Sequence, residues 1–274
     1  MVNLFKHISI FEKKHTLITM SQKIEKHLAN GYEVKIGDYI SRGYEIFKVN
    51  MGAYIGYTVL YFAISFIVNF IPFLNIISSL VISPCLIFGF HLVSKQISQN
   101  KGIPIFNTFF NGFNFAGKLI VISIIMFVVF LVCMMPFIIS VGVSIFALRD
   151  SSSEEIFAAI LAGPLPILGI GMLVMAYFAV SWTFSSLLAV FHNKESWAAM
   201  ELSRKMVGKN WFMIFLFVFV VGIIVGAGVL FLGIGIVFTL PLGMCSLYAA
   251  FEDIFGLPDM EKTTEETSPI EGGI

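Results

Sequence analysis

The residues able to carry chemistry in this chain are few and dispersed. Cys85, Cys133 and Cys245 each fall inside a long apolar block, with no CxxC pair and no cysteine–histidine cluster. That spacing favours small, soft packing residues over a disulfide or a metal centre. His91 and His192 stand at the edges of apolar blocks, where an interfacial position explains them. The serine run at 151–153 lies beside Asp150, Glu154 and Glu155 with no base nearby. A nucleophile needs a positioned base, so this run is no catalytic centre. No phosphate-cradling glycine loop and no HExxH occur. Glu195, Glu201, Glu252 and Asp253, with His192, are the only ionisable residues that could converge at one membrane face as an enzyme would require. No catalytic residue, cofactor or metal site is expected, and the chain reads as non-enzymatic.

Two other sets matter more. Arg204, Lys205 and Lys209 lie next to Trp211 at the start of an apolar block, and are candidate lipid-headgroup contacts. Each basic residue near an anionic surface contributes about 1 kcal/mol. Topology alone also concentrates such residues there. Pro84, Pro164, Pro166 and Pro241 lie within apolar blocks and are candidate helix-break positions. Neighbouring helices satisfy the carbonyls that such prolines free.

The elements that must hold these residues are membrane helices. Of the 274 residues, 58% are hydrophobic and only 12% charged, against roughly 25% charged in a soluble domain. The apolar blocks predict six spans, near 53–70, 76–93, 119–148, 156–191, 211–232 and 233–251. The block 211–251 carries no charge over 41 residues. As one helix it would extend about 62 Å, twice a bilayer core of about 30 Å, so it must turn, near Gly233 and Gly235. Gly222 and Gly226 form a small-xxx-small pair that would admit a close neighbour. The fold class expected is all-α, a polytopic bundle of six transmembrane helices.

Flanking segments are expected to lie outside the bilayer. Residues 1–35 read as a cytoplasmic arm, with Leu17, Met20, Ile24 and Leu28 at helical spacing and Asn30-Gly31 as a stop signal. Residues 38–51 read as an amphipathic interfacial helix with Asp38 as its N-cap. The phenylalanine-rich stretch IPIFNTFFNGF reads as a second in-plane helix. Residues 257–274 read as an acidic, disordered tail.

Charge sets the orientation. Six spans put 1–52, 94–118, 192–210 and 252–274 on one side, with 8, 3, 4 and 1 Lys/Arg respectively. Only Arg149 of the 17 falls on the other side. Both termini are therefore expected in the cytoplasm. The formal net charge is zero and no basic face exists for nucleic acid.

The chain also repeats itself. GYEIFKVNMGAYIGY and SRKMVGKNWFMIFLF align Asn50 with Asn210, an apolar span starting directly after each. Pro84 and Pro241 then follow at 34 and 31 residues. Each unit is an amphipathic lead-in followed by a helical hairpin. The phenylalanine-rich stretch and spans three and four form a diverged third unit, with Asn114 in the Asn50 position. Every unit starts on the same side, so the repeats are parallel, about an axis along the membrane normal.

Three stretches carry a resemblance: ESWAAMELSRKMVGKNWF, GIGIVFTLPLGMCSLYAAFEDIFG and DYISRGYEIFKVNMGAYIGY. Together, over about residues 36–256, the chain resembles a superfamily of uncharacterised bacterial multi-pass membrane proteins. Relatives of that superfamily include the membrane domain of some glycerophosphodiester phosphodiesterases. In those enzymes a separate barrel does the catalysis, and nothing here has the length or the acidic and histidine pairs for one. The resemblance implies a module of the bacterial cytoplasmic membrane without that chemistry.

The function expected is a membrane module whose partners are the lipid bilayer and other proteins, or a second copy in a homo-oligomer. The alternative is a transporter or lipid-handling protein for a neutral or amphipathic substrate. It would need a polar midplane cavity lined from Ser83/Pro84, Pro164–Pro166 and Thr239/Pro241. No Asp, Glu, Lys or Arg lies within the expected spans to serve as a proton or ion relay.

Overall fold

Long runs of apolar residues leave the backbone no partner in lipid except itself, and helices are the open-chain answer. The computed structural model describes residues 22–70, 74–149, 151–230 and 233–257. Among these there is no strand. A short helix, α1, covers 22–30 and stops at Gly31, whose φ of +76° is open to glycine. Leu17 and Met20, expected on the same face, lie outside the described residues, as does 258–274 of the tail.

The first lead-in is α2 (Ile36–Val49). It starts two residues before Asp38, which sits in the first turn rather than at the cap. There its charge still complements the helix dipole. Then come α3 (Met51–Asn69) and the returning span, built from α4 (Leu74–Ile77), a π turn (Ser78–Ile82) and α5 (Ser83–Ser98). Pro84 sits in the first turn of α5. The wider turn before it moves backbone carbonyls away from the proline ring.

The second lead-in, Phe106–Phe115, is a 3-10 helix. The tighter winding runs through Asn107, Asn111, Gly112 and Asn114, all poor α-helix formers. It feeds α6 (Ala116–Ala147), which contains Pro136. Next is α7 (Ser153–Ala162), opened by a capping box between Ser152 and Glu155. Gly163 then breaks the chain before α8 (Pro164–Ser181), with Pro164 in its first position. Pro166 follows in the same turn, exposed. A further break at 182–184, not foreseen in the sequence, precedes α9 (Ser185–Phe191).

The third lead-in is α10 (Ser196–Lys209), followed by α11 (Trp211–Leu230) and α12 (Ile236–Phe255). The turn between them contains Gly233 at φ +75° and Gly235, as the length argument required. Pro241 lies inside α12 without ending it. Gly222 and Gly226 admit no close neighbour among the described residues: a Cβ on either would meet nothing within 4 Å. The close approach of α11 to α12 runs instead through Gly228 and Gly235.

Six stretches are long and apolar enough to cross a membrane: Met51–Val68, Asn75–Ser98, Phe106–Ala147, Ser153–Phe191, Trp211–Leu230 and Ile236–Phe255. The chain is a multi-pass all-α membrane protein. The core sits at the lead-in end of the bundle. Its largest fully buried side chains include Tyr54, Tyr57, Phe90, Phe109, Phe191 and Phe251.

Candidate functional site

The polar residues gather at the lead-in end, and a cyclic pattern of contacts puts them there. α2 packs on α12, the 3-10 lead-in on α5, and α10 on α8–α9. Each lead-in therefore rests on the second span of the preceding unit, and the first rests on the last. The seams are close. A Cβ on Gly43 would lie 2.6 Å from the Ser246 backbone nitrogen. One on Gly89 would collide with the Phe109 carbonyl, and one on Gly112 with the Cys85 carbonyl. At the third seam Ser203 donates its hydroxyl to the Ser181 carbonyl at 2.8 Å. The first spans follow the same rule: α3 meets α12, α6 meets the π turn, and α11 meets α8.

The hinges between lead-in and span repeat too. Asn50 has φ −141° and ψ 50°, and Asn210 has φ −138° and ψ 46°. Each donates its side-chain amide to the loop that precedes the next lead-in: Asn50 to the Pro104 carbonyl at 3.3 Å, Asn210 to the Tyr32 carbonyl. In the second unit the hinge is Phe115, one residue beyond the expected Asn114. Lys118 does the tying there. Its ammonium donates to Asn193 Oδ1 at 2.6 Å and to the Ala189 carbonyl at 3.0 Å, and Ser196 donates to the Lys118 carbonyl. The three ties close a ring.

Inside the ring the end of α12 is held from several elements. Tyr39 donates to Asp253 Oδ2 at 2.9 Å, and Ser98 lies 2.7 Å from both oxygens of Glu252. Arg42 donates to Ser98 and pairs with Glu45. The imidazoles of His27 and His192 reach the carbonyls of Ile254 and Gly256, at 2.9 and 3.1 Å. Lys95, expected in a loop, sits in the last turn of α5, buried, with its ammonium 4.8 Å from the centre of the Phe191 ring. Two open clefts flank this layer. One of about 620 Å³ lies between 29–33 and Lys209/Asn210. The other, of about 350 Å³, is lined by Lys23, Lys35, Asp38, Arg42, Glu252 and Asp253, among others.

The headgroup candidates divide. Arg204 forms a two-pronged pair with Glu201, at 2.8 and 2.9 Å, and Lys205 approaches the same carboxylate at 3.5 Å. The Arg204 hydrogen bonds hold the Glu201 carboxyl down at about 2. Lys209 is exposed at the rim of the larger cleft. Trp211 stacks between Tyr177 and Phe215, and its indole N–H is buried with no acceptor among the described residues. The ring is therefore a packing element of the α8–α11 seam, and Lys205 and Lys209 are the members that face outward. Of the residues weighed for a transport cavity, Thr239 is engaged within its own hairpin, donating to Val225. Among the described residues no three of His, Cys, Asp and Glu converge as metal ligands.

His192 gives the layer a pH dependence. Burial, with smaller effects from Lys194 and Lys95, pushes its imidazole down to about 4, against a small opposing effect of the Gly256 hydrogen bond. A histidine whose folded pKa is depressed stabilises the fold above its unfolded pKa of about 6.5. That contribution, up to about 3 kcal/mol, is lost as pH falls from about 6.5 towards 4. Melting temperature should therefore drop across this window, and His192→Gln should flatten the drop. An identical pH profile in wild type and variant would assign the acid sensitivity elsewhere.

Compared with protein-family models, curated proteins and solved structures, the chain matches none.

Proposed function

We propose that the chain is a non-enzymatic module of the bacterial cytoplasmic membrane, with both termini in the cytoplasm, that engages anionic lipid headgroups at its lead-in face. Its resemblance to the membrane module of some glycerophosphodiester phosphodiesterases fits that role. The observation that carries the reading is the placement of charge. Among the described residues every Lys and Arg except Arg149 belongs to the lead-in end, and Lys205 and Lys209 face outward there beside the first turn of α11. Cations at the ends of spans lie at headgroup depth, where anionic lipid attracts each by about 1 kcal/mol. Partner proteins or a second copy would meet the same face or the bare surface of α11 at Gly222 and Gly226. The transporter alternative is less well supported, because the lead-in end of the core is filled with aromatic rings and both clefts lie outside it.

Extraction into native nanodiscs followed by lipid mass spectrometry tests the reading. Anionic lipid should be enriched over the parent membrane. Lys205→Glu with Lys209→Glu should cut that enrichment severalfold while leaving the melting temperature within a few degrees. Lipid composition equal to bulk for the wild type would overturn the headgroup role. Labelling of cysteines placed at Ser152 and Ser196 from the same side would overturn the topology.

A further inference from the structure

We propose that this protein is a molecular wedge, which bends or senses membrane curvature because it occupies more area in the leaflet at its lead-in end than in the other.

Burial is the first observation. The largest fully buried side chains all lie in the lead-in half, among them Tyr57, Phe88, Phe217 and Tyr248. Those on the spans are no more than about ten residues, or about 15 Å of helix, from that end. The far half is different. Phe70 is 71% exposed, Phe146 74% and Leu230 85%, one in each hairpin. In the far leaflet lipid therefore reaches between and around the hairpins. In the near leaflet the helices pack against one another.

Depth is the second. The second lead-in crosses its partner span inside the bilayer edge, not beyond it, while α2 exposes Arg42 and Glu45 beside Gly43 and so lies at the headgroups. Phe109 meets α5 at Gly89, six residues before Lys95. Six residues are about 9 Å of helix. Residues at that depth below the charged ends belong to the leaflet. A 3-10 helix of 10 residues and about 10 Å width projects on the order of 200 Å², so the second lead-in adds area to one leaflet only.

Chemistry is the third. The outward side of the 3-10 lead-in shows Ile105, Phe106 and Phe113, all exposed, and the preceding loop shows Ile103. No charge interrupts 103–115. Asn107, Asn111 and Asn114 are exposed between these apolar side chains, so the surface is amphipathic and uncharged and its occupant is lipid at the headgroup–acyl boundary. A body wider in one leaflet is accommodated when that leaflet is the convex one.

The experiment pulls narrow tubes from giant vesicles of phosphatidylcholine carrying the labelled protein. That neutral lipid removes the headgroup attraction, so the two readings fail separately. A fluorophore on Asn107→Cys, quenched from outside, identifies the vesicles with the lead-in end outward. Density on those tubes should exceed that on the parent membrane by at least about twofold, because curvature couples to area differences between leaflets. Vesicles of the opposite orientation should show depletion. Ile105→Asp with Phe113→Asp should lower the enrichment while preserving elution volume and melting temperature, since it makes the outward side of this lead-in unfavourable to lipid and leaves its seat on α5 intact. Equal density on tube and vesicle, or enrichment of the opposite sign, would overturn the proposal without reference to any variant.

Discussion

Gly89→Val should fail to yield folded protein, and Gly89→Ala should lower stability by several kcal/mol. A Cβ at this position would collide with the Phe109 carbonyl, and it would lie 2.9 Å from the Phe109 carbonyl carbon and 3.0 Å from the Tyr57 hydroxyl. Two of these atoms are backbone and cannot swing away. The 3-10 lead-in would have to lift off α5, and Phe109 would leave its place against Tyr57, where the rings stack at 4.3 Å. Overpacking a tight core costs about 1–3 kcal/mol, and more where backbone must move. Gly222→Ala and Gly226→Ala are the matched controls. Both sit in α11 with open space around them, so each should be neutral or stabilise by up to about 1 kcal/mol through helix propensity. The measurement is the monodisperse fraction after detergent extraction, with the melting temperature of what survives. Gly89→Ala that melts with the wild type would mean that this seam does not exist.

Phe191→Ala should destabilise by about 3–5 kcal/mol, the usual cost of truncating a fully buried aromatic ring. Phe191 is where the second spans of all three units meet. Its ring lies 5.3 Å from Phe88 of α5, and 6.2 and 5.9 Å from Tyr248 and Phe251 of α12. It also presents its face to the buried ammonium of Lys95. A desolvated cation over an aromatic face gains about 2 kcal/mol. Phe191→Leu separates the two effects. It restores most of the volume and none of the π face, so the stability it fails to recover belongs to the ring contacts and Lys95 together. Denaturant titration of both variants in one detergent measures the difference. If both lose less than about 1 kcal/mol, Phe191 is not the axial support of the bundle.

Much of this architecture was legible in the sequence because lipid imposes so strong a rule. Uncharged blocks of the right length located all six candidate spans, and Gly233 with Gly235 located the turn that length alone demanded. The Asn50/Asn210 correspondence was legible because a hinge with one geometry and one donor keeps one side chain. The sequence misled where neighbours decide. Gly222 and Gly226 carry a packing pattern, but whether a small residue touches anything depends on the partner's position. The break at 182–184 has no proline or glycine to announce it. Phenylalanine spacing shows a helix over Phe106–Phe115 but suits α and 3-10 winding alike, so it does not announce the tighter one. Lys95 and Trp211 looked interfacial by position and proved to be packed against rings. At the candidate site the charge was visible but its pairing was not. Glu201 lies three residues before Arg204, yet only the structure shows a fork that engages Arg204, with Lys205 at its edge and Lys209 outward.

The seam between the first lead-in and the last span has a consequence in time. The second and third lead-ins leave the ribosome after the spans that seat them. The first does not: Gly43 must wait for Ser246, about 200 residues later. At about 5–20 residues per second that is a delay of roughly 10 to 40 s. Throughout it Tyr39, Ile46 and Phe47, which end buried against α12 and its neighbours, have no seat. An amphipathic helix in that state is held by the bilayer surface or by a chaperone. The last hairpin to be made is thus the one that locks the first, and a nascent chain stalled before α12 would expose an open ring to the quality-control proteases of the membrane.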